Sequence, residues 1–284
     1  MRKLKAAIPK GKIYENVVKL LNDAGISLQA DERMYRPVVS DTEIEIKIMK
    51  PQNIPKLVEM GTHDIGFTGY DWIVETGADV MEIADLKFDC VKIIAAVSKE
   101  FRDQSRLKRK IVVASEYENI ARTFLEKEKY DYVFLRTYGA TEVFPPDDAD
   151  MIIDNTASGK TLEMHNLRVI ATILESSTRF IANKKALEDP WKRDKIYEIK
   201  TLFQAIFDAR ERVMLEMNVP SEKLKEIVDI LPCMRFPTVA PLYGEQGYAV
   251  KVAVKKTEVP KLIPLLKKLG ATDILEYEIR KVMI

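Results

Sequence analysis

Residues 150–167 read DMIIDNTASGKTLEMHNL, and this segment decides the fold class of the chain. A short apolar run ends at Asp154, small and hydroxyl-bearing residues follow with one glycine, and a segment that can begin a helix comes next. The pattern predicts a strand, a tight loop and a helix N-terminus, which together form a unit of an α/β fold.

The same segment predicts an anion site. Backbone N–H groups in such a loop converge on one point, where the dipole of the following helix also favours negative charge. Thr156, Ser158 and Thr161 add hydroxyl donors, and Gly159 lets the backbone approach an anion closely. Asp154 beside this loop could accept hydrogen bonds from sugar hydroxyls or hold Mg²⁺, which favours a phosphorylated sugar over a bare anion.

Two other interpretations of the loop compete with this one. Residues 159–161, Gly-Lys-Thr, resemble the end of a Walker A motif, but that motif needs a glycine where the chain has Asp154. This departure argues against a P-loop NTPase. Ser158 and Thr161 could also act only as helix caps, and the loop alone leaves that alternative open.

Composition excludes several classes of protein. The 284 residues carry 45 basic and 44 acidic side chains, a net charge of +1, which argues against a general nucleic-acid binder. No apolar run approaches the roughly 18 residues that span a bilayer. Cys90 and Cys233 lie far apart, which favours reduced thiols and a cytoplasmic location. His63 and His165 are the only histidines, which excludes a multi-histidine metal site.

Segments with strand and helix patterns alternate from residue 3 to residue 182, which predicts an α/β body with mixed sheets. A long amphipathic helix over residues 190–212 leaves this body. From residue 213 onward the order is βαββαβ, the ferredoxin-like arrangement, which predicts an appended module.

Other strand-to-helix corners carry polar residues. Lys10 and Lys12 follow the first predicted strand, Lys50 ends another, and residues 64–71 (DIGFTGYD) form a third corner. Because ligands of open α/β sheets bind at the carboxyl ends of strands, we expect these corners to face one crevice, with the loop residue Glu142 nearby. Each could also be an ordinary solvated turn, and only their convergence favours a site.

Four ordered motifs resemble ATP phosphoribosyltransferase, the first enzyme of histidine biosynthesis, in its long form. They are IPKGK (8–12), KPQNIPKLVEMGTHDIGFTGYDW (50–72), GATEVFPPDDADMIIDNTASGKTLEMHNL (139–167) and LPCMRFPTVAPL (231–242). The resemblance covers nearly the whole chain. It implies an α/β fold with a two-domain type II periplasmic-binding-protein-like catalytic body and a C-terminal ferredoxin-like (βαββαβ) regulatory domain. The expected boundaries are 1–90 with 180–208 for catalytic domain I, 91–179 for domain II and 209–284 for the regulatory domain.

The resemblance also implies the reaction. Ring nitrogen 1 of ATP would attack the anomeric carbon of 5-phosphoribosyl 1-diphosphate, and diphosphate would leave with Mg²⁺. This nitrogen already carries a lone pair, so no strong base is required, and catalysis would rest on positioning and charge stabilisation. The implied catalytic residues are Lys10, Glu142 and Asp154, with Asp154 also as the metal ligand. The implied substrate-binding residues are Gly11, Lys12, Lys50, Gly69, Asp71, Asn155, Thr156, Ala157, Ser158, Gly159, Lys160 and Thr161.

The last domain would bind histidine as feedback inhibitor and favour a hexamer over an active dimer. Its implied ligand-binding residues are Asn218, Thr238, Ala253 and Asp273. Asn218 stands where the family has a carboxylate, which leaves the affinity for histidine open. Lys12 and Lys50 stand where the family has arginines and keep the charge without the bidentate fork.

Two competing functions remain from sequence. One is a cytoplasmic small-molecule sensor built on the periplasmic-binding-like fold, against which the acid beside the phosphate loop argues. The other is a different phosphoribosyltransferase, which the loop alone would permit. The enzyme and both alternatives would bind small molecules, and we expect neither a nucleic-acid nor a membrane partner.

Overall fold

The computed structural model describes residues 2–29, 34–100, 109–244 and 246–283. The chain divides into two compact units, one up to Tyr197 and one from Glu198 onward. Within the described ranges, no helix has the length and apolar character needed to cross a membrane.

The first unit begins with a five-stranded sheet, here called sheet I, in the order β4-β1-β5-β12-β6. Its strands are β1 (Leu4–Pro9), β4 (Ile44–Met49), β5 (Ile65–Gly69), β6 (Met81–Asp85) and β12 (Thr178–Ala182). The short strands β2 (Leu28–Gln29) and β3 (Val38–Val39) pair with each other. The helices of this part are α1 (Lys12–Ala24), α2 (Ile54–Glu59) and α3 (Tyr70–Thr76).

Sheet II, also in the first unit, has the order β11-β7-β10-β8-β9. Its strands are β7 (Val91–Ser98), β8 (Ile111–Ser115), β9 (Tyr132–Arg136), β10 (Met151–Thr156) and β11 (Leu167–Ser176). Helix α4 (Glu118–Lys127) joins β8 to β9, and α5 (Lys160–Met164) follows β10. Helix α6 (Pro190–Arg210) begins in the first unit and ends in the second.

The two sheets share one topology. In each, three parallel strands lie with the first strand in the centre: β4-β1-β5 in sheet I and β9-β8-β10 in sheet II. Beside them lies an antiparallel strand that crosses over from the other sheet's part of the chain: β12 in sheet I and β7 in sheet II. Parallel strands end at the same edge of a sheet, so each sheet gathers the residues after its strands at its carboxyl edge.

Buried apolar residues explain why these strands form. In β10 the side chains of Met151, Ile152 and Ile153 are all 0% exposed, as expected for a central strand with both faces covered. The core of sheet II continues through Val113 of β8 and Leu125 of α4. Burying one such side chain stabilises the fold by roughly 1.5–3 kcal/mol.

The second unit is a four-stranded antiparallel sheet in the order β14-β15-β13-β16. Its elements are β13 (Arg212–Pro220), α7 (Leu224–Ile230), β14 (Thr238–Pro241), β15 (Gly247–Lys255), α8 (Val259–Lys268) and β16 (Thr272–Glu278). Alternate residues of β13 are buried, from Val213 to Val219, so one face of the sheet packs on the core with the two helices. The βαββαβ arrangement predicted from sequence, and with it the mixed α/β fold class, is confirmed.

Candidate active site

The carboxyl edge of sheet I brings two of the expected lysines together. Pro9 and Met49, the last residues of β1 and β4, are register partners, and the Lys10 amide donates to the Met49 carbonyl at 2.7 Å. Lys10 and Lys50 therefore leave neighbouring strands at one point, and both are exposed. This places two positive charges at the end of sheet I.

A tyrosine that the sequence analysis did not identify lies against one of these lysines. Lys10 Nζ donates to the Tyr35 hydroxyl at 2.9 Å and lies 4.5 Å from the centre of its ring. The lysine's hydrogen bond and charge lower the pKa of Tyr35. Gly11 follows with φ of 82°, a left-handed conformation that favours glycine, and Lys12 begins α1 with an exposed side chain.

Two of the expected substrate-binding residues, Gly69 and Asp71, lie at the end of β5 and the start of α3. Both Gly69 and Asp71 are buried, and a Cβ added to Gly69 would lie 2.1 Å from Asp71 Oδ1. The Asp71 carboxylate accepts hydrogen bonds from Ser176 Oγ at 2.6 Å and from the Tyr117 hydroxyl at 2.8 Å. Both of its oxygens are thus engaged inside the protein. Gly69 provides the space for that carboxylate, and substrate binding by Gly69 and Asp71 stays a prediction.

Helix α3 ties the two sheets together at their carboxyl edges. One turn after Asp71, the buried Glu75 accepts from the amides of Asn119 at 3.1 Å and Ile120 at 3.0 Å, at the first turn of α4. A carboxylate there satisfies amides that have no partner within the helix. Trp72 stacks on Tyr117 with ring centres 4.5 Å apart. The two carboxyl edges are therefore joined through α3, Tyr117 and the first turn of α4.

The segment after the core of β10 is the centre of the candidate site. The strand continues to Thr156, beyond the apolar run that ends at Asp154, and Asp154 pairs with Ile94 of β7 in the ladder. Gly159, at φ of 76°, donates its amide to Thr156 Oγ1 at 3.0 Å and closes a tight turn. Asp154 is thus a strand residue with a fixed backbone.

Helix α5, which follows the turn, is only five residues long. A helix this short adds little dipole, because the macrodipole builds up from aligned peptides. The dipole of α5 therefore contributes less to anion binding than the sequence predicts. Any anion here would be bound mainly by loop amides and hydroxyls. Asn155, Ala157, Ser158, Lys160 and Thr161 are exposed on this turn, and Thr156 and Gly159 are half-buried.

The environment of Asp154 perturbs its titration. Burial raises the pKa of Asp154 from an ordinary 3.8 to about 6, and the negative charges of Glu142 and Glu116 add to the rise. The Asn155 amide, at 2.7 Å from Asp154 Oδ1, and the Thr141 hydroxyl oppose it. A carboxyl group with a strongly raised pKa is typical of functional sites. Glu142 thus lies near enough to act on Asp154, and Glu116 is an acidic neighbour that the sequence analysis did not identify.

A cavity of about 360 Å³ adjoins the loop through Ala157. Its wall includes Ser176, Ser177 and Arg179. Arg179 forms ion pairs with Glu82, at 3.1 Å, and with Asp85, so its charge is already balanced. A larger cavity, of about 820 Å³, lies between α4 and β11 and contains none of the expected site residues.

Asp154 also fits a Mg²⁺ ion. Among the residues that the structure describes, no three His, Cys, Asp or Glu side chains form a cluster that could hold a metal by themselves. Mg²⁺ at phosphate sites is commonly held by one or two carboxylates together with substrate oxygens and waters. One carboxylate beside an anion loop matches that donor set.

The four residues expected to bind histidine lie in the second unit. Asn218 Nδ2 donates to Asp273 Oδ2 at 2.8 Å, and Asp273 has φ of 48°, a left-handed conformation uncommon for aspartate. Register partners share a face of a sheet, so Asn218, Thr238 and Ala253 project from the face opposite the helices. The structure thus joins Asn218 to Asp273 and places the other two on the same sheet.

Comparisons with known proteins indicate one family over nearly the whole chain. A family model described as ATP phosphoribosyltransferase matches residues 50–206, and one described as HisG, C-terminal domain, matches residues 209–281. Curated relatives of that name include proteins from Pelotomaculum thermopropionicum, 41% identical over 99% of both chains, and Chlorobium phaeovibrioides, 40% identical over 99% of this chain and 98% of the relative. A solved ATP phosphoribosyl transferase (HisG:HisZ) complex from Thermotoga maritima has a chain with TM-score 0.62 and 20% identity, covering 71% of this chain and 98% of that one.

Proposed function

The chain belongs to the ATP phosphoribosyltransferase family, and from that membership we propose how its residues carry out the first step of histidine biosynthesis. The reaction transfers the phosphoribosyl group of 5-phosphoribosyl 1-diphosphate to ring nitrogen 1 of ATP. The observation that carries the assignment of the site is Asp154, which is half-buried near the end of β10, two residues before the 156–161 turn.

The donor sugar binds on sheet II. The turn from Thr156 to Thr161 holds the 5-phosphate through backbone amides and hydroxyls, and Asp154 faces the ribose. Positive charge develops on the ribose as the bond to diphosphate breaks. With a pKa of about 6, Asp154 is mostly ionised at neutral pH and stabilises that charge.

The nucleotide and the leaving diphosphate face sheet I. Lys10 and Lys50 leave adjacent strands at its carboxyl edge, with Lys12 two residues after Lys10, and these charges suit phosphate oxygens. Since ring nitrogen 1 is already a nucleophile, the site needs alignment of two substrates more than a base. The hydrogen bonds that Asp71 and Glu75 of α3 make with Tyr117 and with the first turn of α4 hold the two carboxyl edges in place for that alignment.

Mg²⁺ fits this site through Asp154 and the substrate's own oxygens, and it would neutralise charge on the leaving diphosphate. Asp154 accepts the Asn155 amide on Oδ1 at 2.7 Å, which orients the carboxylate. Glu142 lies close enough to influence Asp154 and would face the ribose or the adenine.

Feedback by histidine is the function proposed for the second unit, which matches the HisG C-terminal domain. Asp273, held by Asn218, would receive the charged nitrogen of the ligand, with Thr238 and Ala253 on the same sheet. We assign residues 209–284 to this regulatory domain, 91–179 to the donor-binding domain, and 1–90 with 180–208 to the remaining catalytic domain. The chain would act in the cytoplasm and would exchange between a dimer and a hexamer.

The proposal is tested with purified chain, ATP, 5-phosphoribosyl 1-diphosphate and Mg²⁺, with the adduct and diphosphate detected by mass spectrometry. We expect N1-phosphoribosyl-ATP to accumulate with wild type and to fall by more than about a hundredfold with Asp154→Ala. Absence of turnover by folded wild type in every oligomeric state would contradict the activity. Tight binding of an unphosphorylated solute, with no affinity for the diphosphate sugar, would favour the sensor instead.

A further inference from the structure

Tyr117 is a buried tyrosine between the two halves of the site. It lies two residues beyond the end of β8, is 1% exposed, and stacks on Trp72. Its hydroxyl has two partners: it donates to Asp71 Oδ2 at 2.8 Å and accepts from Asn155 Nδ2 at 3.1 Å. The hydroxyl thereby connects α3, which follows β5 of sheet I, to the residue before the donor-binding turn on sheet II.

The direction of these hydrogen bonds fixes the Asn155 side chain. A carboxylate only accepts, so the single proton of the Tyr117 hydroxyl goes to Asp71. The hydroxyl oxygen must then accept from Asn155, which turns the amide nitrogen toward Tyr117. The same nitrogen lies 3.3 Å from Asp154 Oδ1, so one amide group is held by the tyrosine and contacts the central carboxylate.

Asp71 is itself firmly held. Ser176 Oγ donates to its Oδ1 at 2.6 Å and accepts from its backbone amide at 3.0 Å. Asp71 is 4% exposed, and leaving either oxygen without a donor at such depth would be costly. The chain Ser176–Asp71–Tyr117–Asn155 is therefore a continuous set of hydrogen bonds from the crossover between the sheets to the residue beside Asp154.

We propose that Tyr117 is a positioning residue for the transfer reaction: its hydroxyl, oriented by Asp71, holds Asn155 and thereby fixes the donor-binding turn against Asp154. This inference rests on the proposed function of that turn. Tyr117 is buried and acts through Asn155, without touching a substrate itself.

The test is Tyr117→Phe, which keeps the ring on Trp72 and removes only the hydroxyl. We expect kcat/KM for 5-phosphoribosyl 1-diphosphate to fall about tenfold, the usual worth of one internal hydrogen bond, while KM for ATP changes less than about twofold. Tyr130→Phe is the matched control, because Tyr130 also packs against the core of sheet II but lies outside this chain of hydrogen bonds. It should leave both constants unchanged.

A double-mutant cycle with Asn155→Ala separates positioning from stability. Asn155 is exposed, so this variant keeps the fold, and it should show the same donor-selective loss. If Tyr117 acts through Asn155, adding Tyr117→Phe to Asn155→Ala should cost less than about twofold more. Losses that multiply would overturn the inference, as would Tyr117→Phe behaving like Tyr130→Phe. Inactive wild type would instead contradict the proposed function, so the two failures are distinguishable.

Discussion

Replacing Asp154 with asparagine should abolish activity and, at the same time, stabilise the protein. Burial and the neighbouring acids raise the pKa of Asp154 from 3.8 to about 6. A carboxyl group whose pKa is higher in the folded state opposes folding when it is ionised, because the ionised form is less favourable there than in the unfolded chain. Asp154→Asn removes that cost.

The magnitude follows from the shift. A rise of about 2 pKa units at roughly 1.36 kcal/mol per unit corresponds to about 3 kcal/mol of destabilisation in wild type. This is the largest gain expected from Asp154→Asn, because an amide oxygen accepts the Asn155 amide less strongly than a carboxylate does.

The pH dependence identifies the cause. Below the unfolded pKa of 3.8 both states are protonated and the cost is absent; it grows between that pH and about 6, and is constant above. Urea unfolding should therefore show Asp154→Asn more stable than wild type by up to about 3 kcal/mol near pH 8 and by about half of that near pH 5.

Asp150→Asn is the control for this experiment. Asp150 lies in the same segment but pairs with Arg109 at 3.0 Å and accepts the Val112 amide at 2.9 Å, so its loss should destabilise the protein. The reasoning would be refuted if Asp154→Asn were less stable than wild type near neutral pH, or if its advantage did not change with pH.

Three further substitutions test other parts of the account. Gly69→Ala forces a Cβ to 2.1 Å from Asp71 Oδ1, so we expect a lower melting temperature and at least about tenfold lower activity; a wild-type-like variant would show that the carboxylate can move freely. Glu75→Gln weakens two contacts to the first turn of α4 and should lower the free energy of unfolding by about 1–2 kcal/mol in urea titrations. No change would show that Glu75 does not stabilise the junction between α3 and α4. Asn218→Asp places a second carboxylate 2.8 Å from Asp273 Oδ2; we expect thermal unfolding at a lower temperature that added histidine restores, and an equal shift with and without histidine would contradict the proposed ligand site.

Elements with strong apolar periodicity could be predicted from sequence. Helix α4 (Glu118–Lys127) buries one apolar face, and β13 shows the alternating burial of a strand with one covered face. Residues that follow parallel strands could be predicted as candidate site residues, because parallel strands end at the same edge of a sheet. The exposed Lys10 and Lys50 could be located at the edge of sheet I that way.

Contacts that depend on tertiary approach could not be predicted. Tyr117 and Asp71 are 46 residues apart, and nothing local indicates that the edges of two different sheets bring them together. The resemblance implies a substrate-binding role for Asp71, and nothing in its local sequence indicates that the fold buries it against Ser176. Strand β6 has mostly exposed or half-buried residues, so its sequence carries no clear period.

The C-terminal end of β10 could not be predicted from sequence either. Asp154, Asn155 and Thr156 are polar and predict a loop, yet all three pair with β7 in the antiparallel ladder. Tertiary pairing overrides the weak strand propensity of such residues. This pairing matters for the proposed function, because it fixes the backbone of Asp154, which a free loop would not do.

Hydrogen–deuterium exchange on the intact chain tests the central claim most directly, namely that the turn after Asp154 holds the phosphoribosyl donor. With 5-phosphoribosyl 1-diphosphate and Mg²⁺ added, the account predicts slower exchange in peptides covering residues 154–161, and less slowing in Asp154→Ala. Slowing confined to other segments, with residues 154–161 unchanged under saturating donor, would contradict it.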